Sequence, residues 1–352
     1  MVRVVNTAKE NIKSPYLTLS HSWGPPNFLQ LKKENEGRLM GEGATITELT
    51  PNFQQAISVA KFIGIRYIWI DSLCIMQGPG GDFKSEGQLM HKVYRHSHCN
   101  IAIADSLDSE GGLFRQRNPA NIVPMSIEAD GTGKLPRGNW RILEDDLWDE
   151  ELLATKIYTR GWVFQERMLS PRILHFAASQ IFWDCSTLSA CEAFPRGLPH
   201  ALDAKASIDR HWRGRMQRML SDTPQGYGEP VVGANDDSIE NFWLSALLSY
   251  TSCNLTNQDD KSVAIWSVAK LVRDILGEQY GGGLWENNLE EQLAWHSYNM
   301  TSEGCSRIPE LQSRYPSWSW ASIKAPIIAH SRLSKARQYV VTNHAGDAIR
   351  FE

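Results

Sequence analysis

Among the acids of this 352-residue chain, Glu86 is the one whose setting most suggests chemistry. A helix is expected from Asp82 to Ser97. Wound at 3.6 residues per turn, it places Phe83, Glu86, Met90, Val93 and Ser97 on one face, flanked by Leu89 and Tyr94. Lys84, Gln88, His91 and Arg95 take the opposite face, where a solvated acid normally belongs. A carboxylate on an apolar stripe is costly unless it is paired or used. Two readings follow: a structural acid bound to an arginine such as Arg66 or to backbone amides, or a functional acid facing a ligand.

The elements around that helix must position it. Tyr16–Ser20 reads as a strand, and His21-Ser22-Trp23-Gly24-Pro25-Pro26 breaks it. Thr50 and Pro51 form a helix start, N-cap then first helical position. Phe53, Ala56, Ile57 and Ala60 recur at helical spacing, and Gly64 stops the helix. Residues 66–71 form a nearly unbroken apolar run, expected as a central strand buried on both faces. Residues 100–104 supply a third strand. Strand, helix, strand, helix, strand predicts an α/β fold with a parallel sheet and crossover helices.

In such sheets ligands lie at the carboxyl ends of the strands, where strand order reverses. Ser20, His21, Ser22 and Trp23 leave strand one at that edge, and Asp71, Ser72, Cys74 and Gln77 leave strand two there. Trp23 can stack on a planar ligand. Asp71 can hold ribose hydroxyls or cap its own loop. Ser20, His21, Trp23, Asp71, Gln77 and Phe83 are therefore candidate ligand contacts around Glu86.

The second half reads differently. Residues 158–168 look helical, and residues 172–176 and 180–184 look like a hairpin. Helices are expected near 205–220, 239–250, 261–276 and 284–295, with a Gly-, Pro- and Asp-rich loop at 221–237. Arg160, Trp162 and Arg167 have two expected uses: joining the halves by charge and packing, or clamping a ligand phosphate. Residues 316–320 look like an extended strand with alternate tryptophans on one side.

Composition limits the possible classes. The chain is 42% hydrophobic and 22% charged with a net charge of −4, so no basic field invites nucleic acid or an anionic membrane. No apolar run approaches the ~18 residues of a membrane span, and the polar first 14 residues carry no signal-type core. The six cysteines form no CxxC pair, which predicts reduced thiols rather than a disulfide framework or zinc site. A cytoplasmic protein is expected. No GxSxG elbow supports a serine triad around Ser20-His21-Ser22. His91, His96 and His98 fall on different faces, which argues against a shared metal. Gly281-Gly282-Gly283 lacks the ending of a phosphate loop.

Several segments resemble the motifs of the fungal heterokaryon-incompatibility (HET) domain. They are Tyr16-Leu-Thr-Leu-Ser-His-Ser-Trp-Gly24, Arg66-Tyr-Ile-Trp-Ile-Asp-Ser-Leu-Cys-Ile-Met-Gln77, and the spacing Asp82-Phe83-x-x-Glu86-x-x-x-Met90-x-x-x-Tyr94. Gly111-Gly-Leu-Phe-Arg115, Arg160-Gly-Trp-Val-Phe-Gln-Glu-Arg167 and Pro316-Ser-Trp-Ser-Trp-Ala321 continue the series. The sequence departs from the pattern at Phe83, where tryptophan is usual.

The resemblance implies fungal non-self recognition and programmed cell death, on a fold distantly like the Toll/interleukin-1-receptor (TIR) domain, hence a flavodoxin-like parallel sheet. Some TIR domains cleave NAD through a glutamate near a helix start, and Glu86 is the matching position. NAD would then be a substrate, with no cofactor and no metal. Expected boundaries are 1–125 for the first half of the core, 126–200 for its closing part and 201–352 for a helical region. A homo-oligomer is an expected partner state. The alternatives are a non-catalytic self-associating signalling module and a small-molecule enzyme of specialised metabolism.

Overall fold

Alternation along Tyr16–Ser20 (β1) makes it an interior strand of the main sheet buried on both faces: Leu17 and Leu19 point one way, Thr18 and Ser20 the other, and all four are buried. In this computed structural model the described residues are 1–25, 27–218, 237–287, 289–298, 306–307, 315–329 and 345–347. The expected loop at 221–237 lies outside them, except for Asp237.

Six strands form that sheet. After β1 come Tyr67–Trp69 (β2), Cys99–Ile103 (β3), Arg172–Phe176 (β4), Ile181–Cys185 (β5) and Ser189–Cys191 (β6), in the spatial order β2-β1-β3-β4-β5-β6. The pairings β2–β1, β1–β3 and β3–β4 are parallel, and β4–β5 and β5–β6 are antiparallel. The fold is thus mixed α/β, with strand order reversing between β1 and β3. The hairpin expected at 172–184 is β4–β5. The second strand differs from expectation. It is three half-buried residues pairing only with β1, an edge strand rather than a central one, and Asp71 opens a single helical turn, Asp71–Cys74.

Two long helices connect the parallel strands. Helix α1, Pro51–Ile63, begins after Thr50 and ends at Gly64, whose φ of 80° is the left-handed cap that glycine adopts without a Cβ penalty. Its Phe53, Ala56, Ile57 and Ala60 pack on Leu17, Leu19, Ile101, Ile103 and Phe176. Helix α2, Phe83–Arg95, follows Asp82. Farther along, the helix expected at 158–168 is interrupted: a 3-10 turn, Lys156–Thr159, precedes helix α3, Gly161–Leu169. Helix α4 spans Ala204–Arg218.

The chain divides into two compact units, Met1–Tyr158 with Glu166–Met219, and Thr159–Gln165 with Leu220–Glu352. The second unit contains helices α5 (Asp237–Thr251) and α6 (Lys261–Leu276), as expected. The helix expected at 284–295 is a tight hairpin, Tyr280–Gly281 (β7) with Leu284–Trp285 (β8), then one turn at Leu289–Gln292. Gly282 and Gly283 at φ 58° and 90° allow that reversal. The Gln292 side chain then takes both the N–H and the C=O of Trp285, at 2.6 and 3.0 Å. Nor are residues 316–320 a strand: Ser319 Oγ accepts from Ala321 N and starts a 3-10 turn, Trp320–Ser322. Among the described residues no helix is long and apolar enough to cross a membrane.

Candidate functional site

Ser20 ends β1 at the reversal point, and its hydroxyl is fully engaged. Ser20 Oγ donates to Glu166 Oε2 and accepts from Asn100 Nδ2 at 2.9 Å. Asn100 Oδ1 in turn accepts from Thr18 Oγ1 at 3.0 Å. Tyr94, near the end of α2, donates to the Leu19 carbonyl at 3.3 Å. Burial pushes the Tyr94 phenol well above its ordinary range, and the Glu166 and Asp71 carboxylates add to that. Glu166 is only 5% exposed.

Glu166, Asn100 and Tyr94 are not among the candidate ligand contacts expected from sequence, although Tyr94 and Glu166 stand inside two of the motif segments. A signal existed for Glu166: Val163-Phe164 and Met168-Leu169 bracket it on a short helix, so every face there is apolar or shared. A polar pair in that setting must be buried with partners.

A second group forms where the loops after β1 and β2 meet. Trp23 Nε1 donates to Asp71 Oδ2 at 2.8 Å, and Ser72 N donates to Asp71 Oδ1 at 2.7 Å. His21 Nδ1 lies 3.9 Å from Asp71 Oδ1, its ring buried edge-on against Phe53 and parallel to Trp23. Gln77 closes the loop, donating from its backbone to Leu31 O and from Nε2 to Ile75 O, each at 2.8 Å. The next residues tie on helix α2: Asp82 Oδ1 accepts from Met76 N at 2.7 Å, and Met76 O accepts from Asp82 N at 3.2 Å. The structure therefore brings His21, Trp23, Asp71 and Gln77 together.

Helix α2 is rotated relative to its expected face. Gly87, Met90, Tyr94 and Arg95 are buried, Glu86 is half-buried, and Phe83 is 39% exposed. The buried stripe includes Gly87 in place of Glu86, and Tyr94 rather than Val93 reaches β1, donating to Leu19 O. Glu86 lies at the margin of the stripe. Its carboxylate has no hydrogen bond or ion pair among the described residues. Three other acids of this domain are occupied: Asp71 by Trp23, Asp82 by Met76, Glu166 by Ser20.

The arginines are occupied as well. Arg167 pairs with Asp209 and lies over the Tyr158 ring at 5.5 Å. Arg115 closes its own loop on Asp105 at 2.7 Å. Arg160 and Trp162 belong to the second unit, where Trp162 Nε1 donates to Asp260 Oδ2 at 3.2 Å. Desolvation pushes the Cys74 thiol up to about 11, which disfavours a thiolate nucleophile. Cys74, Cys99, Cys185, Cys191 and Cys253 are all free thiols, and Cys305 lies outside the described residues. Among the described residues no group of three or more His, Cys, Asp or Glu could hold a metal ion.

The fold and this edge define an α/β domain with an aromatic and acidic cluster at the carboxyl ends of β1 and β2. Residues 16–166 match the family described as heterokaryon incompatibility protein (HET), and the chain is a HET-domain protein. That match supports a function of the heterokaryon-incompatibility type. No curated protein and no solved structure gives a match.

Proposed function

We propose that the HET domain acts on a nicotinamide dinucleotide at the carboxyl edge of β1, cleaving its N-glycosidic bond with Glu86. The observation that carries this reading is the Glu86 carboxylate, half-buried in the first turn of α2 and without a hydrogen bond or ion pair among the described residues, while Asp71, Asp82 and Glu166 are committed to structural bonds. The reversal of strand order between β1 and β3 supports ligand binding at this edge. So does the Trp23 ring, fixed by Asp71 beside buried His21, which offers a rigid surface for a planar base. The reaction class is taken by analogy from the expected TIR-like fold, with which the mixed α/β sheet is compatible.

In the reaction the bond between ribose C1′ and the pyridinium nitrogen breaks, and its electron pair leaves with nicotinamide as a neutral molecule. Glu86 hydrogen-bonds the ribose hydroxyls and stabilises the positive charge that develops on the ring. Water adds to C1′ and loses a proton to solvent, giving ADP-ribose. The experiment is nicotinamide release from NAD by the purified chain, followed by chromatography. Release is expected to fall at least 100-fold in Glu86→Gln. Absence of release by the wild type at high protein concentration overturns the reading, as does full activity in the variant.

A further inference from the structure

Residues 126–141 form a two-stranded sheet of their own. Ser126–Ala129 pairs antiparallel with Gly138–Arg141, and neither strand pairs with a third among the described residues. The register sets Ile127 opposite Trp140. One step outward, Ile142 N donates to Met125 O at 2.9 Å, so those two residues also lie opposite each other. Side chains alternate along a strand, which puts Met125, Ile127, Trp140 and Ile142 on one face. Ser126, Glu128, Asn139 and Arg141 take the other. A hairpin patterned in this way normally has its apolar side covered. Here the four apolar residues are between 38% and 67% exposed.

The face asks for nothing polar. Trp140 Nε1 donates to Pro136 O at 2.9 Å, so the indole presents its ring and needs no outside acceptor. Exposed Val123 precedes Met125 in the chain. Together these five side chains leave bare on the order of 500 Å², toward the upper end for the largest apolar patch of a monomer. An isolated two-stranded hairpin is also marginal in water until its apolar side packs on something. We propose that this face is the contact between two copies of the chain, hairpin against hairpin about a twofold axis. Antiparallel sheets meet face to face by interdigitating their inner side chains. The side chains of this face are uncharged, so two copies meet without burying a charge, and in a twofold contact the same residues serve both sides. The paired area, roughly 1,000 Å², lies at the low end of specific interfaces, so the dimer is reversible. Exposed Glu144, Asp145 and Asp146, just beyond Ile142, repel an anionic lipid surface. The inference does not rest on the nucleotide reading, and either can fail without the other.

The test is sedimentation velocity of the full chain from about 1 to about 200 µM, the range in which a small interface associates. The sedimentation coefficient is expected to rise with concentration to that of a dimer, and added salt is not expected to reverse the rise. Met125→Asp with Ile142→Asp buries two charges per copy and is expected to weaken dimerisation at least about 100-fold. Ile127→Thr with Ile142→Thr keeps β-branched strand residues while removing apolar area, and is expected to weaken it about tenfold. That pair decides the matter even if the aspartate variant does not fold. Asn139→Lys, on the polar face, is expected to change nothing. The proposal is overturned if the wild type stays monomeric throughout, including the case in which the monomer instead cosediments with phosphatidylcholine vesicles. It is also overturned if Ile127→Thr with Ile142→Thr dimerises as tightly as the wild type, or if Asn139→Lys weakens association as much as the apolar changes do.

Discussion

The two faces of the six-stranded sheet are both buried, but one is almost wholly apolar while the other mixes Ala102, Ile173 and Phe182 with a row of buried polar groups. One face presents Leu17, Leu19, Ile101, Ile103 and Phe176 to the apolar stripe of α1. The register places Thr18, Ser20, Asn100, His175, Asp184 and Ser189 on the other, each no more than 2% exposed. The apolar face needs only volume and shape to be satisfied. The polar face needs a named partner for every group: Glu166 for Ser20, Arg213 for Asp184 at 2.7 Å, Arg210 for Ser189 at 2.8 Å and Tyr158 for His175. Hydrophobic burial stabilises the first face directly. The second gains little net free energy from its bonds, yet it fixes which helices can cover it.

Breaking one partner on the polar face should have the largest effect. Burial pushes the Asp184 carboxyl up despite the adjacent Arg213 guanidinium, so this pair is strongly desolvated. Asp184→Ala leaves Arg213 charged and buried, and should cost about 3–5 kcal/mol in urea denaturation of the full chain. Replacing both together, Asp184→Leu with Arg213→Met, should cost much less than the single change. A single-variant loss below about 1 kcal/mol would erase the distinction between the faces.

The next effect is a dependence on pH. His175 is held neutral, its pKa well below the ordinary value, first by burial and then by the Arg213 and Arg167 guanidinium groups. A folded pKa below the unfolded one gives stability that is present above the unfolded value of about 6.5 and is lost as pH falls below it. In that range the unfolded chain takes up a proton that the folded chain refuses. Between pH 7 and pH 5 this one residue should remove about 2 kcal/mol. Urea midpoints in His175→Phe should show a pH slope flatter by that amount, and an unchanged slope would contradict the assignment.

Much of the apolar face could be read directly from the chain, because it rests on local rules. Strand β1, the Thr50–Pro51 start and Gly64 end of α1 and the β4–β5 hairpin all follow from period and capping. The polar face could not be read the same way. Its pairs join residues far apart in sequence, as Ser20 and Glu166 are, and only the register of parallel strands brings them together. For the same reason β2 looked central: its apolar run is real, but whether a strand pairs on one side or two is a tertiary fact. Glu86 sits on the expected helix but only half-buried, because the buried stripe through Gly87, Met90 and Tyr94 is turned about the helix axis from the expected one while still sharing Met90.

That displacement leads to the smallest stability effect and the sharpest contrast with Glu166. Both are glutamates of the HET domain, and they differ in commitment. Glu166 is buried and bonded to Ser20, whereas Glu86 is half-buried with a carboxylate that has no partner among the described residues. Glu86→Gln removes charge without removing a bond, so stability should change by no more than about 0.5 kcal/mol. Glu166→Gln replaces the buried carboxylate that accepts from Ser20 with a neutral amide carrying two extra donor hydrogens, so it should cost about 1–3 kcal/mol. Paired urea denaturations of the two variants measure the difference. If Glu86→Gln destabilised the chain as much as Glu166→Gln, Glu86 would be a structural acid after all, and the case for it as the uncommitted group at this edge would fail.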